Sequence, residues 1–126
     1  MSEGAKNDAA AAVHRFLQAM EARDLTRAQA CLGAGFSMVF PGGVEFRRLS
    51  DLVDWSRGRY ARIGKDFDGT EVAGDTVWVR GTLHGDWPDG SRFDGIRFAD
   101  RFEVTDGLIT RQEVWNDMGE HRNAGD

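Results

Sequence analysis

Residues Arg92 to Met118, RFDGIRFADRFEVTDGLITRQEVWNDM, read as two long strands joined by Asp106-Gly107, the favoured two-residue hairpin signal. Side chains alternate along a strand, so Ile96, Phe98, Phe102 and Val104 share one face. A hairpin of this length commits the chain to a sheet with one apolar face that something else must cover. Asp100 falls on that same apolar face. A carboxylate pointing into a core is costly unless it is paired, hydrogen-bonded or protonated. A ligand pocket is one candidate reason for its presence.

The elements before the hairpin supply the cover. Residues 1–6 read as a loose leader, and Asn7 or Asp8 can cap a helix running to about Ala22, with Val13, Phe16, Leu17 and Met20 at helical spacing. Asp24 can cap a second, short helix that stops at Gly33. Phe36, Met38 and Phe40 alternate as a strand, Pro41-Gly42-Gly43 turns the chain, and Val44 to Phe46 return. Ser50 is expected to cap a third helix carrying Leu52, Val53, Ser56, Tyr60 and Ile63 on one side. After Gly64 the pattern becomes strand: Phe67 to Ala73, a Gly74-Asp75 turn, then Thr76 to His84, and a Gly85–Gly90 loop into the long hairpin. From Gly119 the chain is polar and expected to fray. Helices first and strands after make an α+β plan. The expectation is one domain over residues 1–126 with its core at about 8–118: three N-terminal helices cover one face of a curved antiparallel sheet. A bent sheet with helices across its mouth encloses a cone-shaped cavity.

Composition excludes several function classes. With 126 residues, 40% hydrophobic and 29% charged, the chain is one globular domain. A net charge of -5 argues against a nucleic-acid partner. Six of the sixteen basic residues lie between Arg47 and Lys65, alternating with Asp51 and Asp54, and read as a solvated helix face. The single cysteine, Cys31, rules out an internal disulfide framework and reads as a small buried residue. The N-terminus does not read as a signal peptide, and no apolar run nears the roughly 18 residues that span a bilayer. A cytoplasmic protein with no membrane partner is therefore expected. The three His and one Cys are widely separated, so no metal site is expected. Nucleotide-binding glycine motifs and the Gly-x-Ser-x-Gly elbow are missing too, and no cofactor is expected.

Two segments carry a family resemblance. AVHRFLQAMEARDLTRAQACLGAGFSMVF followed by DGIRFADRFEVTDGLITRQEVWNDM resembles the nuclear transport factor 2-like superfamily, within its SnoaL-like branch. The resemblance spans about residues 9–118 and rests on the order of helices and strands and on the strand–Asp-Gly–strand ending. It implies a cone-like α+β barrel, a homodimer through the sheet, and one pocket between sheet and helices. In the steroid isomerase branch a Tyr on the first helix and an Asp on the last strand hold an oxyanion, and an Asp after the second helix is the base. The strand Asp corresponds to Asp100, but the Tyr position falls on Phe16 and the base position on Phe40, and a Phe can neither donate to an enolate nor take a proton. In polyketide-cyclase-like members the strand Asp acts as acid/base beside a His, which here implies His84; imidazole suits proton transfer near neutral pH.

The strand Thr76–His84 poses a choice of faces. Its period sends Val77, Val79 and Leu83 to the core, whereas the resemblance sends Trp78, Arg80, Thr82 and His84 to the pocket and leaves the valines and Leu83 for a dimer contact. The second assignment is adopted as the expectation, with Arg80 or His84 paired to Asp100, or Arg101 reaching round to it. Gln112, Val114 and Asn116 should face the pocket and Trp115 the dimer side. Met20, Met38, Phe40 and Phe98 would make the pocket apolar, with Phe16 and Phe102 also lining it and Trp55 at its mouth. The implied ligand is a small hydrophobic, oxygenated molecule. The implied activity is that of a cofactor-free lyase or isomerase with Asp100 and His84 as catalytic residues; the alternative is a non-catalytic binder or dimeric interaction module.

Overall fold

A computed structural model describes the backbone of residues 3–124 and the side chains of residues 8–122. Helix α1 spans Glu3–Glu21 and α2 Leu25–Ala30; strands β1 (Leu32–Phe40) and β2 (Val44–Phe46) follow, then α3 (Leu49–Ser56). The rest is β3 (Arg62–Ala73), β4 (Thr76–Asp86), β5 (Arg92–Thr105), β6 (Leu108–Asn116) and α4 (Met118–Ala124). The strands form one sheet in the order β2-β1-β6-β5-β4-β3. All pairings are antiparallel except β1 with β6, which is parallel.

The long hairpin forms as its sequence requires. Asp106 and Gly107 both have positive φ, 51° and 79°, the two-residue turn whose twist matches paired strands. Along β5, Phe93, Ile96, Phe98, Asp100, Phe102 and Val104 are buried while the residues between them are not. Helix α1 lays Ala12, Val13, Phe16, Leu17 and Ala19 on this face, each at most 6% exposed. Burying each of the larger of these side chains is worth about 1.5–3 kcal/mol. Helix α1 ends in a Schellman motif: the Asp24 N–H donates to the Ala19 carbonyl at 2.8 Å and the Arg23 N–H to that of Met20 at 3.1 Å. Arg23 occupies the left-handed position of that motif, at φ 60°, where glycine is usual.

Several boundaries differ from expectation. Asn7 and Asp8 lie within α1, which starts at Glu3, not after residue 6. Asp24 does cap α2, accepting from the Arg27 N–H at 3.1 Å. Helix α3 begins at Leu49 with Arg48 as its N-cap and no side-chain cap bond, so Ser50 does not cap it. That helix stops at Ser56, before Gly58, and β3 starts at Arg62, so Tyr60 and Ile63 are not helical. The segment from Met118 forms α4 instead of fraying, with the Asn116 Oδ1 accepting from the Met118 N–H at 3.0 Å. The loose ends expected at residues 1–2 and 125–126 lie outside the described residues. Among the described residues no helix is long and apolar enough to cross a membrane.

The sheet bends at β3 and β4. A bulge between Phe67 and Gly69 interrupts their register, and Gly81 on β4 lies beneath the β3 backbone. A Cβ on Gly81 would stand 1.9 Å from the Asp66 carbonyl oxygen, and one on Gly85 2.0 Å from that of Arg62. The two glycines let the edge strand fold inward over the sheet. That fold aims Lys65 and Phe67 into the space beneath α1.

Candidate functional site

A cavity of about 110 Å³ lies between the sheet, α1 and α3. It is somewhat smaller than the roughly 150 Å³ cavity known to accept benzene. Its walls are chiefly apolar: Phe16, Leu17 and Met20 from α1, Phe40 from β1, Leu52 and Trp55 from α3, and Phe67, Leu83, Phe98 and Val114 from the sheet. Phe40, Phe46 and Trp55 pack as an aromatic group, with Phe40 and Trp55 centroids 5.6 Å apart. Asp100, Lys65, Gln112 and Asn116 supply polar groups to this lining.

Asp100 is fully buried (0% exposed) and its Oδ2 accepts from the Lys65 ammonium at 2.8 Å. The Asp100 Oδ1 has no partner, nor does the Oε1 of Gln112, whose residue is 3% exposed. Buried acceptors left without donors are costly, about 1–3 kcal/mol each. Lys65 is 23% exposed and its Nζ lies 5.0 Å from the Phe98 ring centroid, within cation–π range. Register explains why this pair is formed across the cavity. Lys65 is opposite Leu83, and Leu83 opposite Ile96, whereas Asp100 is opposite Val79. Lys65 thus starts two strands and four residues away, and the inward fold at Gly81 closes the gap.

The expected partners of Asp100 lie elsewhere. On β4 the hydrophobic period prevails: Val77, Val79 and Leu83 are at most 2% exposed in the core, so they are not a dimer contact. Trp78, Arg80, Thr82 and His84 consequently face away from the cavity. Trp78 stacks on Trp115 with centroids 5.7 Å apart. Arg80 meets Glu71 at 3.6 Å, and the His84 Nδ1 meets Asp66 at 3.0 Å. Arg101 points outward too, bonded to Glu113 at 2.9 Å. None of these is placed to tune Asp100. Phe102 is fully buried beneath α1, its ring 6.3 Å from Phe16, and belongs to the core instead of the lining. Phe16, Met20, Phe40, Trp55, Phe98, Gln112 and Asn116 do line the cavity with Asp100.

Lys65 is the residue that sequence reasoning missed. Ending the third helix past Ile63 placed it after a helix, among solvated charges. Starting the strand at Arg62 puts Ile63, Lys65 and Phe67 on one face, which lines the cavity, and Gly58 was the available signal for the earlier helix stop. Tyr60, Arg23 and Arg59 at the cavity's edge were missed as well. Among the described residues no group of His, Cys, Asp and Glu is placed to hold a metal ion.

A family model described as a SnoaL-like domain matches residues 13–112. No curated protein matches the chain. Among solved structures, TerC co-crystallised with polyporic acid superposes with a TM-score of 0.83 at 17% identity, covering 92% of this chain and 96% of TerC. An NTF2-like protein of unknown function from Burkholderia pseudomallei gives 0.81 at 17% identity, covering 98% and 97% of the two chains. An LEH-like epoxide hydrolase from M. tuberculosis gives 0.72 at 22% identity, over 94% and 89%. At these identities the likeness establishes the fold.

Proposed function

The chain belongs to the SnoaL-like domain family, and from that premise we propose that its cavity takes up a small apolar molecule bearing oxygen, on which Asp100 and Lys65 act as a proton-transfer pair. One observation carries this reading: a fully buried carboxylate in an apolar cavity has one oxygen on an ammonium and the other without any partner. In the first step Asp100 removes a proton from the carbon beside a carbonyl. The Lys65 ammonium, a partly buried donor, stabilises the oxyanion that develops. Return of the proton to another carbon gives an isomerisation, and its delivery to a leaving hydroxyl gives a dehydration. No cofactor takes part in either sequence.

The test begins with a thermal-shift screen of apolar ketones, lactones and epoxides, followed by mass analysis for conversion. With a converted compound in hand, Asp100→Asn should lower turnover by about 10²–10⁴-fold, the usual worth of a positioned acid or base. Its melting temperature should stay within a few degrees of the parent. Full turnover in the variant would remove the proton-transfer role. A second reading is favoured by the pairing itself, since Asp100 is already neutralised by Lys65: the pair is then the floor of a binding cavity with no turnover. Ligands that bind without conversion would select that reading.

A homodimer through the outer face of the sheet is part of the same proposal. Trp78 and Trp115 are 39% and 50% exposed and stacked, and such apolar surface commonly marks a contact. Charges of both signs surround it, in the Arg80–Glu71, Arg101–Glu113 and Arg111–Glu113 pairs, so two copies can meet without like-charge repulsion. Trp78→Ala combined with Trp115→Ala should shift sedimentation from dimer to monomer at micromolar protein. An unchanged dimer would place the contact elsewhere.

A further inference from the structure

The cavity's mouth differs in charge from its floor and from the protein as a whole. Three cationic side chains (Arg23, Arg59, Lys65) and two carboxylates (Glu21, Asp100) line the cavity. Both carboxylates are engaged: Asp100 by the Lys65 ammonium, and Glu21 by the Lys65 backbone N–H, which donates to it at 3.0 Å. Among the described residues seven of the fourteen arginines meet a carboxylate, and Arg23 and Arg59 belong to the other seven. Of those seven, Arg23 and Arg59 are the two that line the cavity, in a chain of net charge -5.

Their placement is specific. The Arg59 guanidinium lies over the Trp55 ring at 4.3 Å, and that of Arg23 lies 5.9 Å from the Tyr60 ring centroid. Trp55 and Tyr60 are themselves lining residues. A guanidinium stacked on an aromatic face keeps its in-plane N–H donors free for a planar anion. Burial and the neighbouring Arg122 push the Arg59 pKa down from its ordinary value. Arg23 is held at φ 60°, a conformation that costs a non-glycine residue roughly 1–2 kcal/mol. A functional group at that position is one reason to retain it over glycine.

We propose that Arg59 and Arg23 form an anion clamp at the mouth, so that the molecule taken up is a largely apolar acid whose carboxylate stays at the rim while its other end enters the cavity. This rests on the small-molecule reading above and narrows it to organic acids. The carbonyl on which the floor pair acts then lies on the end that enters the cavity, away from the carboxylate.

The probes are 3-phenylpropanoate and its neutral isostere 4-phenylbutan-2-one, with affinities measured by NMR titration and amide shifts used to locate the site. The acid should bind about tenfold more tightly than the ketone, the lower end for charge-assisted hydrogen bonds. Arg59→Gln and Arg23→Gln should each reduce that preference at least threefold. Arg59→Lys should keep only part of it, since an ammonium retains the charge but not the stacked planar donors. Binding of both probes in the cavity with equal affinity would overturn the clamp and leave the small-molecule reading intact. Binding of neither probe would overturn both. An acid preference unaltered in Arg59→Gln and Arg23→Gln would move the anion site elsewhere and also overturn the clamp.

Discussion

Lys65→Met is expected to lower stability by about 3 kcal/mol, seen as a fall of about 10 °C in melting temperature. The cause is asymmetric burial. Lys65 is 23% exposed, whereas Asp100 is fully buried and has Lys65 as its only hydrogen-bonding partner among the described side chains. Removing the ammonium strands a carboxylate that already has one unsatisfied oxygen. The reverse change, Asp100→Asn, leaves a lysine that can extend toward solvent, and should cost far less. Because replacing both charges with apolar groups is often neutral, Lys65→Met with Asp100→Leu should return to within about 1 kcal/mol of the parent. Chemical denaturation of the parent, Lys65→Met, Asp100→Leu and the double variant measures the coupling directly. A stable Lys65→Met single variant would mean that the pair does not hold the floor of the cavity.

The second large effect is expected at Gly81. An added Cβ would stand 1.9 Å from the Asp66 carbonyl oxygen, 2.9 Å from its carbon and 3.1 Å from the Asp68 nitrogen. All three are backbone atoms that cannot rotate away. Gly81→Ala should therefore push β3 off β4 and cost about 3 kcal/mol or more. Binding should be lost as well, since β3 carries Lys65. Gly58→Ala is the matched control, with nothing near its added Cβ and no positive φ; it should change stability by no more than about 1 kcal/mol. If Gly81→Ala were as benign as the control, the inward fold of β3 would not depend on this crease.

These two positions also show how far the sequence could be read. Asp100 was legible because a period of two places it among Ile96, Phe98 and Phe102 without any tertiary knowledge. The Asp106-Gly107 turn was legible because only a few residue pairs accept two positive φ values. The face of β4 was legible too, in the valines and Leu83. The family resemblance pointed the other way, and burial of three apolar side chains, worth about 1.5–3 kcal/mol each, decided it. His84 and Arg80 were thereby moved to the outer face, and the catalytic pairing expected for them was lost.

By itself the sequence determined the α+β order, the long hairpin, the apolar face of β5 and the buried carboxylate upon it. Those are local consequences of side-chain period and turn chemistry. Only the tertiary structure decided what the carboxylate meets. Its partner starts two strands and four residues away, and the gap closes because the Gly81 crease and the Phe67–Gly69 bulge fold an edge strand over the sheet. The mouth was decided in the same way: Arg23 at a helix end and Arg59 beyond another are 36 positions apart, and they become neighbours of one cavity only when α1 and α3 pack across the same sheet.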